Sequence, residues 1–119
     1  MKTIETFEDA LRYLAEYEPD NFKFDGECFQ WMPEGFDRTR KVFCYYEIDS
    51  DDLDEILALI DFEYQVGWFA HGWQFCVWHK DDRNNYMSRN RCSENYFPTK
   101  LEAAKAAFCA AIREWEKGK

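Results

Sequence analysis

The strand-like segments of this sequence carry large apolar side chains at both alternating positions, and this constrains the fold more than any other feature. In one such segment, the rings of Phe43 and Tyr45 fall on one parity and that of Tyr46 falls on the other. The same mixture recurs at positions 63–70 and 73–80. An antiparallel sheet with one face in water would instead alternate apolar and polar residues. We therefore predict a sheet that is covered at least partly on both faces.

Three amphipathic segments supply helices to cover that sheet. The first is predicted from about Phe7 to Tyr17, because Thr6 begins a capping box and apolar residues then recur at helical spacing. The second begins after Asp49-Ser50 and lasts about three turns. The third begins at Thr99-Lys100, where a second capping box precedes a helix of roughly 18 residues with one apolar stripe.

Segments with a period of two predict the strands. Phe22 to Phe29 is typical of a hairpin, because Asp25-Gly26 tolerates the positive φ values of a type I′ turn. A strand from Arg40 to Ile48 follows, and a second hairpin turns around His71-Gly72. A final strand is predicted from Tyr86 to Cys92. The expected fold class is α+β, with an antiparallel sheet of about five or six strands flanked by three helices, in a single domain over residues 1–119.

Mean hydropathy and cysteine content indicate the cellular compartment of the protein. Its mean hydropathy is −0.69 and no apolar run approaches the length of about 18 residues that a membrane span needs. Met1 to Glu5 show no secretion signal, so we expect a cytoplasmic protein. The five cysteines include no C-x-x-C pair, and free thiols are the expected state in a reducing cytosol. A zinc site that combines some of them with His79 is the less favoured alternative.

The net charge of −9 is distributed unevenly along the chain. Residues 1–63 hold 18 acidic and 6 basic side chains, a balance of −12, whereas residues 64–119 hold 6 acidic and 9 basic side chains, a balance of +3. Direct binding to a nucleic-acid backbone requires the opposite sign. The natural counterpart of such a surface is a basic protein. The alternative interpretation is that the acids only keep a domain rich in aromatic residues soluble.

One acidic cluster accounts for the sharpest concentration of this charge. Five carboxylates occupy seven consecutive positions and Glu47 precedes them; the five are Asp49, Asp51, Asp52, Asp54 and Glu55. One or two acids would satisfy a helix N-terminus, so five exceed that need. One interpretation of the cluster is a patch that binds a Lys/Arg-rich groove of a partner. The equally favoured alternative is the acidic first turn of a solvated helix. A Ca²⁺-binding loop is the less favoured interpretation of this cluster, because the glycine and the distal Glu of an EF-hand are missing.

Trp31 completes the predicted partner-binding residues. It lies near the acidic residues Glu34 and Asp37. Tryptophan is a frequent anchor of protein interfaces. The competing interpretation, a partly buried core residue, is the more common fate of this side chain.

No arrangement of residues in the sequence indicates catalysis. There is no Gly-rich phosphate loop, no HExxH helix and no local signature of a Ser-His-Asp set. We therefore expect neither an enzyme nor a bound metal or cofactor. A small enzyme or metal protein that uses His79 with Asp81 and Asp82 is a minor alternative.

The second half of the chain contains a Trp-rich hairpin followed by a capped helix. The stretches Gly67-Trp68-Phe69-Ala70 and Gly72-Trp73-Gln74-Phe75 are followed by a polar loop and by a helix from Phe97-Pro98-Thr99 to Glu114-Trp115. This pattern, over about the last fifty residues, resembles the C-terminal part of small phage and prophage accessory proteins, some of which are grouped as phage helix-sheet-helix (ABA) sandwich domains. The resemblance implies a phage or mobile-element origin and a bacterial host cytoplasm, and it implies no particular activity.

These observations together predict a binding protein. The expected function is that of a non-enzymatic acidic inhibitor that binds a basic, nucleic-acid-handling bacterial protein, for example a CRISPR effector or another nuclease, as an anti-CRISPR or other anti-defence protein does. An immunity-type protein that neutralises a toxin nuclease is the alternative with the same acidic face. Spare aromatic surface is also compatible with a homodimer.

Overall fold

The computed structural model describes residues 4–32, 41–69, 71–80, 91–92 and 96–117. Within these ranges the chain forms three α-helices and six strands, which confirms the α+β class. In chain order they are α1 (Phe7–Tyr17), β1 (Phe22–Phe24), β2 (Cys28–Trp31), β3 (Lys41–Cys44), α2 (Ser50–Ala58), β4 (Phe62–Phe69), β5 (Gly72–His79), β6 (Arg91–Cys92) and α3 (Lys100–Lys117).

The strands form two antiparallel sheets, so the prediction of one sheet of five or six strands is wrong. The first sheet has the order β1-β2-β3 and the second has the order β4-β5-β6. The predicted strand from Arg40 to Ile48 ends early, because a 3-10 turn at Tyr45–Glu47 follows β3 and leads into α2. Ile48 is fully buried after that turn. Position 40 and positions 86–90 of the predicted last strand lie outside the described residues.

All three helices begin where the sequence predicts. In α1 the Thr6 hydroxyl accepts the backbone N–H of Asp9, and the Asp9 carboxylate accepts the N–H of Thr6, so the capping box is confirmed. In α3 the N–H of Glu102 is donated to Thr99 Oγ1 over 3.1 Å. These contacts satisfy amide groups that have no partner inside the helix.

The turn of the first hairpin differs from the predicted type I′ turn. A type I′ turn requires positive φ at both central residues, yet in this hairpin Gly26 has φ of +100° and Asp25 does not have a positive φ. Asp25 instead uses its carboxylate to accept the backbone N–H groups of Glu27 and Cys28, both over 2.8 Å. The Asp side chain therefore stabilises the turn and only the glycine takes the conformation that other residues avoid.

The two sheets differ in how their faces are covered. In the first sheet the inner face carries Phe22, Phe29 and Trp31, which are fully buried, while Val42 on the outer face is 52% exposed. Cys28 and Cys44 on that outer face are half-buried, so the outer face of this sheet is covered in part. In the second sheet Val77 is buried and residues of the opposite parity, such as Trp78, are half-buried.

Helix α3 lies at the centre of the molecule. It packs against β4 and β5 and also against α1 and α2. Phe7 of α1 meets Phe108 of α3 edge to face at 5.4 Å between ring centroids, and Tyr13 meets Trp115 in the same way at 5.7 Å. The buried cluster draws on all three helices and on β1, β2, β4 and β5, so one apolar core joins both sheets.

Candidate functional site

The predicted acidic cluster lies at the N-terminus of α2, and part of it is used to build that helix. Asp49 is the N-cap: its carboxylate accepts the backbone N–H of Asp52 over 2.9 Å, and the Asp52 carboxylate accepts the N–H of Asp49 over 3.2 Å. This reciprocal pair is a capping box made entirely of aspartates. Burial raises the pKa of Asp52, and the neighbouring Asp49 charge adds to that rise. Asp52 is thus a structural residue that is half-buried.

Asp54, in the second turn of α2, lies beside Tyr64 of β4. The Tyr64 hydroxyl donates a 2.7 Å hydrogen bond to the backbone carbonyl of Ser50, which attaches β4 to the first turn of α2. Partial desolvation of the Asp54 carboxylate raises its pKa, and the nearby Tyr64 hydroxyl opposes that rise. Burial, followed by the charge of Asp54, raises the pKa of the Tyr64 hydroxyl strongly. Tyr64 therefore remains a neutral donor beside the acids.

Glu55 is removed from the acidic surface by two donors. The indole Nε1 of Trp31 donates to Glu55 Oε1 over 2.6 Å, and Lys41 Nζ lies 3.1 Å from Glu55 Oε2. The charge of Glu55 is compensated by the lysine and its carboxylate is oriented by the indole.

 
Trp31 has a relative exposure of 0%, stacks on Phe43 at 5.6 Å between ring centroids, and reaches Glu55 through its N–H. The interpretation of Trp31 as a core residue therefore applies, and its proposed role as an exposed anchor is corrected. Its neighbours Glu34 and Asp37 lie outside the described residues.

Four of the predicted carboxylates remain exposed, and we call them the acidic face: Glu47, Asp49, Asp51 and Asp54. They lie within eight consecutive residues, from the 3-10 turn to the second turn of α2. None of the ion pairs formed within the described residues involves any of them. The acidic face is therefore smaller than the sequence indicates, and it is concentrated at one helix end.

Sequence reasoning missed the residues that divide this cluster into structural and exposed acids. Lys41 and Tyr64 are far from the cluster in sequence, and both contact it only because β3 and β4 flank α2. A second missed pair lies at the other end of α2, where Lys80 Nζ is 2.8 Å from Asp61 Oδ1. Asp61 has φ of +65°, a conformation that aspartate tolerates better than most residues do. No sequence signal identifies either lysine as a partner.

The histidines do not form a recognisable site in the described part of the chain. His79 packs edge to face on Phe62 at 5.3 Å, and His71 packs in the same way on Tyr96 at 5.7 Å. Asp81 and Asp82, the suggested partners of His79, lie outside the described residues. Among the residues described, no three His, Cys, Asp or Glu side chains are grouped so that they could hold a metal ion.

The cysteines correct one expectation. Cys28, Cys44 and Cys109 are free thiols, as predicted, but Cys76 is disulfide-bonded. The sequence did not indicate this bond.

Comparisons with protein families, curated proteins and solved structures found no match to this chain. Within the described residues, no helix combines the length and the apolar character that crossing a membrane requires.

Proposed function

We propose that this chain is a non-enzymatic binding protein whose acidic face docks on a basic, nucleic-acid-handling bacterial protein. The observation that carries the proposal is the group of four exposed carboxylates at the N-terminus of α2, outside every ion pair of the described residues. Gathering like charges costs folding free energy through repulsion. A cationic partner surface would relieve that repulsion on binding.

Two carboxylates of the acidic face are held in place by neighbouring groups, which supports this role. Asp49 is fixed by the capping box, and Asp54 is next to Tyr64, which is itself bonded to the backbone of Ser50. Carboxylates held in place lose little conformational freedom when a partner binds. Such a face complements the Lys/Arg-rich groove in which a nucleic-acid backbone would otherwise lie. Charge complementarity of this kind increases the association rate and selects the partner.

The phage resemblance extends the proposal to a biological setting. A small phage-encoded protein that blocks a basic nucleic-acid channel in the host cytoplasm would act as an anti-CRISPR or other anti-defence inhibitor. An immunity-type protein would use the same face against a toxin nuclease. The identity of the captured partner distinguishes the two.

The test is affinity capture from a bacterial lysate with matched charge variants as bait. The face variant combines Glu47→Gln, Asp49→Asn, Asp51→Asn and Asp54→Asn. The control variant removes four exposed acids elsewhere: Glu5→Gln, Asp20→Asn, Glu27→Gln and Glu102→Gln. Both variants have the same net charge, and Asn at position 49 retains helix-capping ability. Asp52 and Glu55 are left intact because the fold uses them.

We expect the wild-type chain and the control variant to capture the same basic protein, and the face variant to lose it. Capture should also weaken between about 0.1 M and about 1 M salt, where the Debye length falls from about 10 Å to about 3 Å. An equal loss of capture in the two variants would show that net charge, and not the acidic face, is recognised. Capture that persists at high salt would contradict the electrostatic mechanism.

A further inference from the structure

Two free cysteines face each other across the first sheet. Cys28 of β2 and Cys44 of β3 are register partners, and their sulfur atoms lie 3.9 Å apart in a thiol–thiol contact. Both side chains are half-buried. They are 16 residues apart in the chain, so strand pairing alone brings them together.

The backbone pattern puts this pair at a position suited to a covalent bond. The N–H of Tyr45 donates to the carbonyl of Glu27 over 2.8 Å, so residues 27 and 45 are the hydrogen-bonded pair of the ladder. Residues 28 and 44 are then the adjacent non-hydrogen-bonded pair, whose Cα atoms in antiparallel sheets are typically about 4.5 Å apart. That separation falls inside the range of about 4.4–6.8 Å found across disulfides.

The pair is also on the accessible side of its sheet. Strand alternation places Cys44 on the same face as Val42, which is 52% exposed, and away from the buried side chain of Phe29. The other free thiol, Cys109, is buried in α3, and burial raises its pKa to about 11. A small reagent can therefore reach Cys28 and Cys44 more readily than it can reach Cys109.

We propose that Cys28 and Cys44 form a reversible dithiol–disulfide site, oxidised by a small disulfide of the glutathione type. The thiolate of one cysteine attacks the reagent disulfide, which forms a mixed disulfide and releases one glutathione as its thiol. The second cysteine then attacks the protein sulfur of the mixed disulfide and releases the second glutathione. The two protein thiols lose two electrons and two protons, and one oxidised glutathione becomes two reduced molecules.

The environment of the pair determines how fast this exchange proceeds. The hydrogen bond with Cys44, then burial, then the charges of Cys44, Asp25 and Glu27 raise the pKa of Cys28. On the β3 side, a hydrogen bond to the Cys44 sulfur also raises the pKa of Tyr46. Because the attacking species is a thiolate, oxidation by glutathione disulfide accelerates as the pH rises above neutral.

The experiment exposes the full-length wild-type chain to oxidised glutathione at mildly alkaline pH, blocks remaining thiols and maps disulfides in a digest made without reductant. We expect a peptide pair linked through Cys28 and Cys44, loss of two hydrogen atoms in the intact mass, and reversal by reduced glutathione. Thiol blocking of Cys28 and Cys44 should fall together, while Cys109 remains blockable after denaturation.

Two single variants complete the test. In Cys44→Ser, Cys28 should stop at a persistent glutathione adduct, and Cys28→Ser should trap the same adduct at position 44. A circular dichroism spectrum unchanged from wild type shows that each variant is folded. A wild-type chain in which both thiols stay free, or in which glutathione adducts persist without a Cys28–Cys44 link, would overturn the proposal. These outcomes are independent of partner capture by the acidic face.

Discussion

The indole N–H of Trp31 donates a 2.6 Å hydrogen bond to Oε1 of Glu55, and this contact joins the first sheet to helix α2. Trp31 is fully buried, whereas the side chain of Glu55 keeps 32% of its surface exposed. Lys41 approaches the other carboxylate oxygen from β3. A residue that sequence reasoning assigned to the acidic cluster is therefore a link between two parts of the fold.

Loss of the indole N–H should destabilise the protein. Trp31→Phe removes the indole donor to Glu55 Oε1 and reduces core volume, so the free energy of unfolding should fall by about 2 to 4 kcal/mol. Urea denaturation followed by circular dichroism measures the change. Glu55→Gln is the matched control, because an amide oxygen can still accept the N–H and only the half-exposed pair with Lys41 is lost, about 0 to 1 kcal/mol. Equal losses in the two variants would contradict a role for the N–H.

The capping oxygen of Asp49 and its negative charge should have separable effects on stability. Asp49→Ala removes the acceptor for the N–H of Asp52 and should cost about 1 kcal/mol of unfolding free energy. Asp49→Asn removes the same charge but keeps a capping oxygen, so its stability should stay close to that of wild type. Equal destabilisation by Ala and Asn, measured by urea denaturation, would show that charge and not capping holds the start of α2.

Gly72 should not tolerate a side chain. A Cβ at this position would lie 3.0 Å from the carbonyl oxygen of Phe97 and 3.1 Å from the Cβ of Tyr96. The Phe97 backbone cannot easily move away, because it exchanges two hydrogen bonds with Trp73. Gly72→Ala should therefore reduce unfolding free energy by about 1 to 3 kcal/mol. Gln65→Ala, at an exposed position of β4, should change it by less than about 0.5 kcal/mol.

Alkaline pH should destabilise the protein through Cys109. Its pKa rises from an ordinary value of 9.0 to about 11, so the folded state holds the thiol proton after the unfolded state has lost it. The unfolded state then binds fewer protons, and stability falls as pH rises from about 9 to about 11. The loss attributable to this group is about 2 to 3 kcal/mol.

Denaturation curves at successive pH values under anaerobic conditions test this loss, and Cys109→Ala should reduce its slope. Tyr13, whose pKa burial raises to about 12, contributes a further loss that begins above its ordinary value of 10.0. A pH dependence that Cys109→Ala leaves unchanged would contradict the assignment to the buried thiol.

Local signals account for the parts of the fold that the sequence predicted correctly. The bounds of α1 and α3 follow from capping residues such as Thr6 and Thr99, because a cap is satisfied within three residues of itself. The second hairpin follows from two strand-like segments rich in aromatic and β-branched residues on either side of His71-Gly72. These signals require no knowledge of what packs against the segment.

Long-range contacts account for what the sequence left undetermined. The division into two sheets could not be predicted from local composition, because residues 45–47 have the composition of a strand even though they form a 3-10 turn that leads into α2. Glu55 and Asp52 could not be separated from the exposed acids, because their partners and burial arise from packing around α2. The facing thiols of Cys28 and Cys44 likewise depend on register, which the sequence alone did not fix.

The central position of α3 has a consequence for biosynthesis. Helices α1 and α2 and strands β4 and β5 all precede α3 in the chain, yet all four pack against it. In a nascent chain the apolar surfaces that α1 and α2 present to α3 are therefore uncovered until translation reaches residue 100 and beyond. Such intermediates are the species that chaperones bind, and release of the finished helix should be the event that ends that dependence.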